Sequence, residues 1–435
     1  MAQPGLQTSP GPATAAAVDL DTLVRGVLFV SVFLAAWISF HPFPDLSIPP
    51  QAVAEGGDTA NQIGFSTMFL AFAMWTYHHE PRRLLLLVRP VLIAVVAWCV
   101  LSVVASWEPA SSARRLAFAL VVMSISAMVL LLPKTLRHFS DLMAAATLIV
   151  LAACYFGVFF LPQYAIHHAT DFLEPEHAGN WRGVFPHKND AGATMVLFIF
   201  IGFYVARMRS FALGWVIVAL SAIFLAFSQS KTAIGVLPLA LVLSAIIGRT
   251  RRPGLGVGLV LGILLIFNLC SIGTVMFEPV RTLMEAIMPD ATFTGRTEIW
   301  QLGIQAVAQR PITGYGYLMF WGTEEVVYGF GEAVTWANAA SDAHNAYLNL
   351  ALTIGIPGML LVAIWVIILP IVDFCRVAPD PQTYPLQMLF LRVCLYGVYA
   401  SCFESSMLEQ VGEVWFFYMT SAFGLRYLAQ LRVTA

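Results

Sequence analysis

Long apolar segments alternate with short polar connections along most of this chain. About twelve of them are long enough to cross roughly 30 Å of hydrocarbon, or nearly so with tilt. Because backbone polar groups in lipid must be hydrogen-bonded within their own segment, these stretches predict helices and not strands. The predicted spans are residues 23–40, 63–77, 84–105, 116–133, 142–161, 193–206, 211–227, 233–248, 255–275, 346–372, 387–403 and 411–429. The pattern therefore predicts an all-α polytopic membrane protein.

Basic residues fall in every second short connection between the predicted spans. Positive residues collect on the cytoplasmic side of inner-membrane proteins, so these connections and both termini are predicted to be cytoplasmic. The residues are Arg82, Arg83, Lys134, Arg137, Arg207, Arg209, Arg249, Arg251, Arg252, Arg376, Arg426 and Arg432. The longer loops, 41–62, 162–192 and above all 276–345, then face the periplasm.

This orientation gives a simple domain organisation. Residues 1–22 are predicted to be a flexible cytoplasmic tail, and residues 23–275 to hold transmembrane helices 1–9. Residues 276–345 form one large periplasmic loop. Residues 346–435 hold transmembrane helices 10–12 and the cytoplasmic C-terminus. A large outward loop indicates chemistry in the periplasm, away from ATP, so a substrate there must arrive already activated.

Composition excludes several classes of protein. The chain has 59% hydrophobic and only 11% charged residues, whereas about a quarter of the residues of a soluble domain are charged. The formal net charge of -2 argues against a nucleic-acid partner. Six cysteines stand singly in apolar segments, which indicates neither a disulfide framework nor a metal site. Residues 1–21 carry no Lys or Arg, so the first span is predicted to be retained rather than cleaved as a signal peptide.

One amphipathic helix is predicted inside the large loop. Thr294 or Thr297 can cap it, and Arg296 lies at its start, beside free backbone N–H groups that favour anions such as phosphate. Its apolar face is predicted to be Trp300, Ile304, Val307 and Ala308. The alternative is an interfacial packing helix whose arginine reaches the lipid headgroups.

His344 lies just before the predicted span that begins near Ala346. The positive end of the helix dipole disfavours imidazolium, so the ring is expected to be neutral and available as a general base. Asp342 could cap the helix or orient the ring. Taken alone, a histidine at a helix start is more often only a polar interfacial residue.

Two further groups of polar residues lie in outward loops. Cations are disfavoured on this face, so those that remain are candidates for anionic partners such as a diphosphate. The cations are Arg114, Arg115, Arg182, Lys188, Lys231, Arg281 and Arg310. A second group combines histidines and acids, namely His167, His168, Asp171, Glu174, Glu176 and His177. Its spacing fits no zinc signature, so we interpret it as a solvated polar loop and predict no metal.

Two motifs in the C-terminal half resemble a known family. His344-Asn345, nine residues, Gly355, two residues and Gly358 resemble the signature of the O-antigen ligase and polymerase superfamily. Arg-Thr-Glu-Ile-Trp from Arg296 and the Gly314-Tyr315-Gly316 element resemble the same family module. The specific resemblance covers residues 295–358, and it implies a GT-C-like glycosyltransferase with about 12 transmembrane helices and amphipathic helices in its periplasmic loop.

The resemblance also implies an activity. Ligases of this family work on the periplasmic side of the Gram-negative inner membrane, without metal, ATP or other cofactor. They transfer O-antigen from undecaprenyl diphosphate to the lipid A-core oligosaccharide, so the implied partners are these two substrates and membrane lipids. An in-line attack would invert the anomeric centre.

The resemblance assigns roles to individual residues. His344 resembles the essential histidine and would be the general base, with Asp342 and Asn345 orienting or capping. Arg296 would be catalytic and bind the diphosphate, together with the cations Arg182, Lys188 and Lys231. Lys231 departs from the family, which often has arginine there, and this leaves its role open.

Other functions stay open on the sequence. An O-antigen polymerase or a protein O-oligosaccharyltransferase would use similar chemistry on another acceptor. Polymerases typically divide their arginines between two sizeable periplasmic loops, so the 162–192 loop leaves a polymerase as an alternative. A non-catalytic transporter of a lipid-linked glycan is a different class. Paired broken helices and inverted halves would indicate a transporter, and the sequence shows neither.

Overall fold

The computed structural model describes residues 19–48, 58–172, 174–287, 295–329 and 336–430. Helices dominate these residues, and the only strand-like feature among them is an isolated bridge between Ile166 and Trp181. The α-helices are α1 (Leu20–Ile38), α2 (Thr59–His79), α3 (Pro81–Leu85), α4 (Pro90–Val104), α5 (Pro109–Met128), α6 (Leu136–Phe160), α7 (Pro162–Ala165), α8 (Lys188–Met208), α9 (Phe211–Ser228), α10 (Lys231–Thr250), α11 (Pro253–Cys270), α12 (Gly273–Met276), α13 (Glu278–Ile287), α14 (Arg296–Gln309), α15 (Glu324–Gly329), α16 (Ala346–Ala363), α17 (Leu369–Arg376), α18 (Tyr384–Ala400) and α19 (Glu413–Gln430).

Eight stretches of the described chain are helical, long and apolar enough to cross a membrane. They are Leu20–Ile38, Pro109–Leu131, Leu136–Phe160, Lys188–Met208, Phe211–Ser228, Lys231–Thr250, Pro253–Cys270 and Ala346–Arg376. This confirms the predicted all-α polytopic membrane class. The other four predicted spans are helical as well, as α2, α4, α18 and α19, but they are shorter or less apolar. The number of spans therefore stays a prediction.

The helices that carry the site are held by a buried aromatic cluster. Trp37 of α1 lies 4.9 Å from Phe198 of α8 between ring centroids, and Phe33 lies 5.4 Å from Phe416 of α19. Such tilted and edge-to-face pairs stabilise a core beyond the area that they bury. α8, α18 and α19 are buried along most of their length, whereas α11 exposes most of its apolar side chains. The site elements thus rest on the most deeply buried helices of the bundle.

Basic residues gather at one end of the bundle, as the alternating loop charges predict. Arg251, after α10, donates to the carbonyl of Val377 after α17. Arg209, after α8, contacts Asp141 near the start of α6 at 2.6 Å. The opposite end holds the first residues of α8, α10, α14 and α16 and the loop after α18. We call this opposite end the site end.

Helix α16 is broken at Gly355, and nine residues separate this glycine from the cap of the helix, Asn345. Gly355 has φ 73°, and a Cβ there would lie 1.9 Å from the carbonyl oxygen of Ile312. The loop after α14 fills the break, because Tyr315 N–H donates to Leu352 O at 2.8 Å and Gly316 N–H to Thr353 O at 3.1 Å. The nine residues of the motif are therefore one half-helix, and the glycine lets the loop backbone approach it.

Helix α14 differs from the predicted amphipathic helix in two ways. It begins at Arg296 after Gly295, whose φ is 83°, so Thr297 does not cap it, and Thr294 lies outside the described residues. Its buried face is Ile299, Trp300, Leu302, Gly303 and Ala306, whereas Ala308 is exposed. The predicted face agrees at Trp300, which is buried, and Ile304 and Val307 are half-buried against the same core. The buried face is turned from the predicted one because α14 packs on α16, and Trp300 Nε1 donates to Ala343 O at 3.0 Å.

Candidate functional site

Five polar side chains from separate parts of the chain meet at the site end. Asn189 comes from the first turn of α8, Arg296 from the start of α14, and Glu404 from the loop after α18. Asp342 and His344 lie in the segment that leads into α16. We call these five residues the Glu404 cluster, because the Glu404 carboxylate contacts Asn189, Arg296 and His344.

His344 presents a buried ring nitrogen to two carboxylates. Its Nδ1 lies 3.6 Å from Asp342 Oδ1 and 3.8 Å from Glu404 Oε2, and it makes no hydrogen bond within the described part of the chain. The backbone of His344 has φ 46°, a left-handed conformation that non-glycine residues seldom adopt. The Asp342 carboxylate holds this conformation by accepting the His344 N–H at 2.6 Å.

The two carboxylates change the expected charge of His344. Burial lowers its pKa, but Glu404 and Asp342 raise it by more, even against the opposing charge of Arg296. The net effect raises the pKa of His344 above its ordinary value. Nearby negative charge therefore opposes the lowering that the helix dipole was expected to cause, and the neutral ring stays a prediction. A higher pKa makes the deprotonated ring a stronger base.

Arg296 is anchored on one side and loosely held on the other. Its Nη1 donates to the carbonyl oxygen of Phe403 at 2.6 Å, while its Nη2 lies 3.6 Å from Glu404 Oε1. The side chain is 17% exposed. One edge of the guanidinium can therefore take an anion without loss of the anchor.

Asn189 connects the Glu404 cluster to two lysines. Its Nδ2 donates to Glu404 Oε1 at 3.1 Å, and its Oδ1 accepts from Ser230 Oγ at 3.2 Å. Lys188 and Lys231 adjoin these two residues as the first residues of α8 and α10, and their ammonium groups repel one another. Lys188 is half-buried and Lys231 is exposed. The structure thus places both lysines beside the cluster.

Arg182 does not belong to this group. It is 1% exposed, with Nη1 donating to Phe185 O at 2.9 Å and Nη2 to Pro44 O at 2.6 Å. A guanidinium that is buried and bonded to two backbone carbonyls holds loops together and is not free for a diphosphate. These contacts favour a structural role for Arg182, and its role as a diphosphate ligand stays a prediction.

Asn345 serves the helix rather than the ring. Its side chain accepts the N–H groups of Tyr347 and Leu348 at the start of α16, at 3.0 and 3.1 Å. Its Nδ2 donates to Cys402 O at 2.9 Å, and the residue is fully buried. Asn345 therefore joins the start of α16 to the loop that carries Glu404.

A second group of histidines and acids lies in the loop before α8. We call His167, Asp171, Glu174, His177 and His187 the loop histidine cluster. His167 has both ring nitrogens bonded, Nδ1 to Asp171 Oδ2 at 2.9 Å and Nε2 to Lys188 N–H at 3.2 Å. Burial lowers its pKa to about 4. His167 is therefore a neutral structural histidine that ties this loop to α8.

Three members of the loop histidine cluster have the spacing of metal ligands. One ligand atom from each of Glu174, His177 and His187 lies within 4.8 Å of the others. His187 Nδ1 accepts the Asn189 N–H at 3.1 Å, so the ring proton of its neutral form is on Nε2, 2.8 Å from Glu174. A metal-binding nitrogen must be free of its proton. This contact lowers the pKa of Glu174 to about 2 and favours a hydrogen-bonded cluster over a metal site.

The sequence reasoning missed the acids around His344. Glu404 stands in a short loop between two predicted spans. Asp190 and Glu409 interact with it electrostatically, and Glu413 interacts with both of these acids. Burial raises the pKa of Glu409 well above its usual range. The available signal was that Glu404, Glu409 and Glu413 stand in or beside one outward connection, 404–410, of an otherwise apolar region.

Two comparisons with known proteins bear on this site. A family model described as O-antigen ligase matches residues 216–363, from α9 to the end of α16. The exopolysaccharide production protein ExoQ of Rhizobium meliloti (strain 1021) is 27% identical over 226 residues, which are 47% of this chain and 49% of that protein. The chain thus spans about half the length of this curated relative. These matches confirm the predicted resemblance to the O-antigen ligase family, and the matched residues include Lys231, Arg296 and His344.

Proposed function

Because the chain resembles the O-antigen ligase family over the residues that carry Arg296 and His344, we propose that it transfers O-antigen from undecaprenyl diphosphate to the lipid A-core oligosaccharide. One observation carries the proposal. The base His344 and the cation Arg296, from separate parts of the chain, meet at Glu404 at the site end, opposite the end that carries Arg209 and Arg251. The site would face the periplasm of a Gram-negative inner membrane, as the distribution of basic loops favours.

His344 acts as the general base in this reaction. Nδ1 faces the carboxylates of Asp342 and Glu404, so the proton of the neutral ring belongs there and Nε2 carries the lone pair. Nε2 takes the proton from a hydroxyl of the core oligosaccharide, whose oxygen forms a bond to the anomeric carbon. The bond from that carbon to the diphosphate oxygen breaks, and its electron pair leaves with undecaprenyl diphosphate. Attack from the opposite face inverts the anomeric centre.

The cations stabilise the leaving group. Arg296 offers its Nη2 edge to the diphosphate, and Lys188 and Lys231 add positive charge from the next two helix starts. Donors fixed beforehand around developing negative charge are commonly the largest contribution to such a reaction. This arrangement needs no ATP, because the lipid diphosphate is already a good leaving group.

A polysaccharide polymerase is the second candidate. The relative ExoQ is named for exopolysaccharide production and not for lipopolysaccharide. The same base and cations would then act on a hydroxyl of a second lipid-linked glycan. The two candidates differ in the acceptor and not in the chemistry at His344.

The test is a profile of lipopolysaccharide and of undecaprenol-linked glycan in a host that lacks the protein. Wild type, His344→Ala and the control His78→Ala are returned on a plasmid, and their membrane insertion is verified. His78 is exposed on α2, so its loss tests for a general effect of removing a histidine.

For a ligase, we expect polymer to accumulate on undecaprenol while the core stays bare, and only wild type and His78→Ala to restore capping. Single repeat units on the core would identify a polymerase instead. Full capping by His344→Ala would show that His344 is not the base.

A further inference from the structure

Glu404 divides its two carboxylate oxygens between the two residues that the proposed reaction uses. Oε1 accepts Asn189 Nδ2 at 3.1 Å and lies 3.6 Å from Arg296 Nη2, while Oε2 lies 3.8 Å from His344 Nδ1. The Glu404 N–H donates to Ala400 O at 3.0 Å, which fixes the backbone at the end of α18. A single acid therefore contacts both the cation and the base from a fixed point.

The contacts of Glu404 with Arg296 Nη2 and with His344 Nδ1 are both longer than a hydrogen bond. Hydrogen bonds between N–H and O measure about 2.7 to 3.2 Å, and both contacts are longer. His344 Nδ1 is buried, and in the described chain no hydrogen bond reaches it. A movement of Glu404 Oε2 by about 1 Å toward the ring would complete that bond.

We propose that Glu404 is a positioning residue that couples donor binding to the base: an anion on Arg296 Nη2 releases Glu404 Oε1, and Glu404 then accepts a hydrogen bond from His344 Nδ1. This inference rests on the proposed function, because it takes the anion to be the donor diphosphate. It adds a way in which the donor regulates the site.

Charge and geometry both favour this exchange. Phosphate oxygens form short, charge-assisted bonds to guanidinium, and these outcompete a carboxylate held 3.6 Å away. The bound anion also repels the Glu404 carboxylate, whose Oε2 lies 3.8 Å from His344 Nδ1. The Asn189 amide keeps its hold on Oε1 and acts as the pivot, while Arg296 stays anchored to Phe403 O.

The outcome is a base that becomes stronger when the donor is in place. A hydrogen bond at Nδ1 fixes the ring with its lone pair on Nε2 and stabilises the imidazolium that forms during the reaction. Asp342 is held in place by the His344 N–H that its Oδ1 accepts, so Glu404 is the acid that can move toward the ring. The charged groups that face the ring are Arg296 from α14, Asp342 from the preceding loop and Glu404. The acids around Glu404 are Asp190 of α8, Glu409 of the same loop and Glu413 of α19.

The test uses full-length protein in lipid nanodiscs with farnesyl diphosphate as the probe and farnesol as the uncharged control. Binding of each lipid is measured by calorimetry. Histidine ¹⁵N resonances are titrated with pH with and without the probe, and His344→Gln identifies the His344 signals. The proteins compared are wild type, Glu404→Gln and Glu298→Gln, whose glutamate is exposed on α14 two residues from Arg296.

In wild type and Glu298→Gln, we expect farnesyl diphosphate to raise the pKa of His344 by at least twice the rise in Glu404→Gln. The rise left in Glu404→Gln reports the direct charge of the probe. In wild type the Nδ1 proton resonance should appear downfield only when the probe is bound, which tests the new hydrogen bond without a variant.

The inference would be overturned if the pKa of His344 rose equally in wild type and Glu404→Gln, or if its Nδ1 proton resonance did not change when the probe binds. Either result would leave the donor site intact. If calorimetry shows no binding to wild type, both the donor site and this coupling are wrong. If Glu404→Gln does not fold, the wild-type Nδ1 resonance decides alone.

Discussion

The Glu404 cluster and the loop histidine cluster contain the same kinds of side chain, yet they are built for different tasks. In the loop cluster, His167 is 1% exposed and both its ring nitrogens are bonded. In the Glu404 cluster, His344 is 34% exposed and its Nδ1 has two carboxylates near it but no hydrogen bond within the described chain. Burial lowers the pKa of His167 to about 4, whereas neighbouring charge raises that of His344.

This difference distinguishes a structural histidine, His167, from one that can act as a base, His344. A neutral ring with both nitrogens hydrogen-bonded loses one of these bonds whether it gains or gives up a proton. A ring that has one nitrogen without a hydrogen bond and negative charge nearby can gain a proton at its other nitrogen. The same replacement in the two clusters should therefore damage different properties of the protein.

The largest expected effect is on the rate of transfer in His344→Gln. Glutamine keeps the polarity but cannot accept a proton, and general-base catalysis contributes about 10²- to 10⁴-fold. Glycan transfer by purified protein in liposomes should fall by that factor, with little change in melting temperature. Retained turnover would show that His344 is not the base.

Arg296→Gln should have the next largest effect, since a hydrogen bond to a charged group is worth about 1.5 to 3 kcal/mol. Transfer should slow by roughly 10- to 100-fold and donor binding should weaken. Arg281→Gln, on the exposed helix α13, is the matched control and should behave as wild type. Arg182→Gln should lower the melting temperature instead. An Arg296→Gln variant with normal kinetics would remove the cation from the mechanism.

His167→Gln should destabilise the protein by about 1 to 3 kcal/mol, because it disturbs the buried bonds to Asp171 and Lys188 N–H. Transfer per folded molecule should change little. The folded-state pKa of His167, about 4, is below the unfolded value of about 6.5. Its contribution to stability is therefore present above about pH 6.5 and lost as the pH falls toward 4.

Melting curves of wild type and His167→Gln between pH 7 and 4 check this sign. The gap between the two proteins should shrink as the pH falls. His344 should behave in the opposite way, because its pKa is raised: it stabilises the fold below its unfolded pKa and loses that contribution as the pH rises through the folded value. If the difference in melting temperature between wild type and His167→Gln grew as the pH fell, the pKa of His167 would be raised and not lowered in the folded protein.

The smallest expected effect belongs to Lys231→Ala. The side chain is exposed, and an exposed charge pair contributes about 0.2 to 1 kcal/mol. Donor affinity should fall less than about fivefold, and the loss should shrink at high salt. A loss as large as that in Arg296→Gln would place Lys231 in direct contact with the diphosphate.

Most of the helical architecture was readable from the sequence. Each predicted span coincides with a helix, because long apolar stretches in lipid have few other ways to satisfy their backbone. The orientation of α14 was not readable. Periodicity finds an apolar face but not the partner, and here Gly303 and Ala306 allow close contact with α16, so the buried face is turned from the predicted one.

The site was only half predictable. Arg296 and His344 stand in motifs, and their position at helix starts followed from the sequence. Glu404 and Asn189 have no motif, and only the folded chain brings them from 215 residues apart to 3.1 Å. The raised pKa of His344 could not be foreseen for the same reason, because the Glu404 carboxylate comes from another loop. The burial of Arg182 could not be foreseen either, because sequence does not reveal which loop cations are enclosed.

The broken helix α16 gives the spacing of its motif a physical meaning. Nine residues at 1.5 Å each place the break at Gly355 about 14 Å below the cap, where the segment Pro311–Gly316 is bonded into it. The number of residues in the motif thus sets the distance between His344 and the point where the loop enters α16. That segment follows α14, which begins at Arg296. One added residue in the half-helix would therefore turn His344 by about 100° relative to the arginine without removing any side chain.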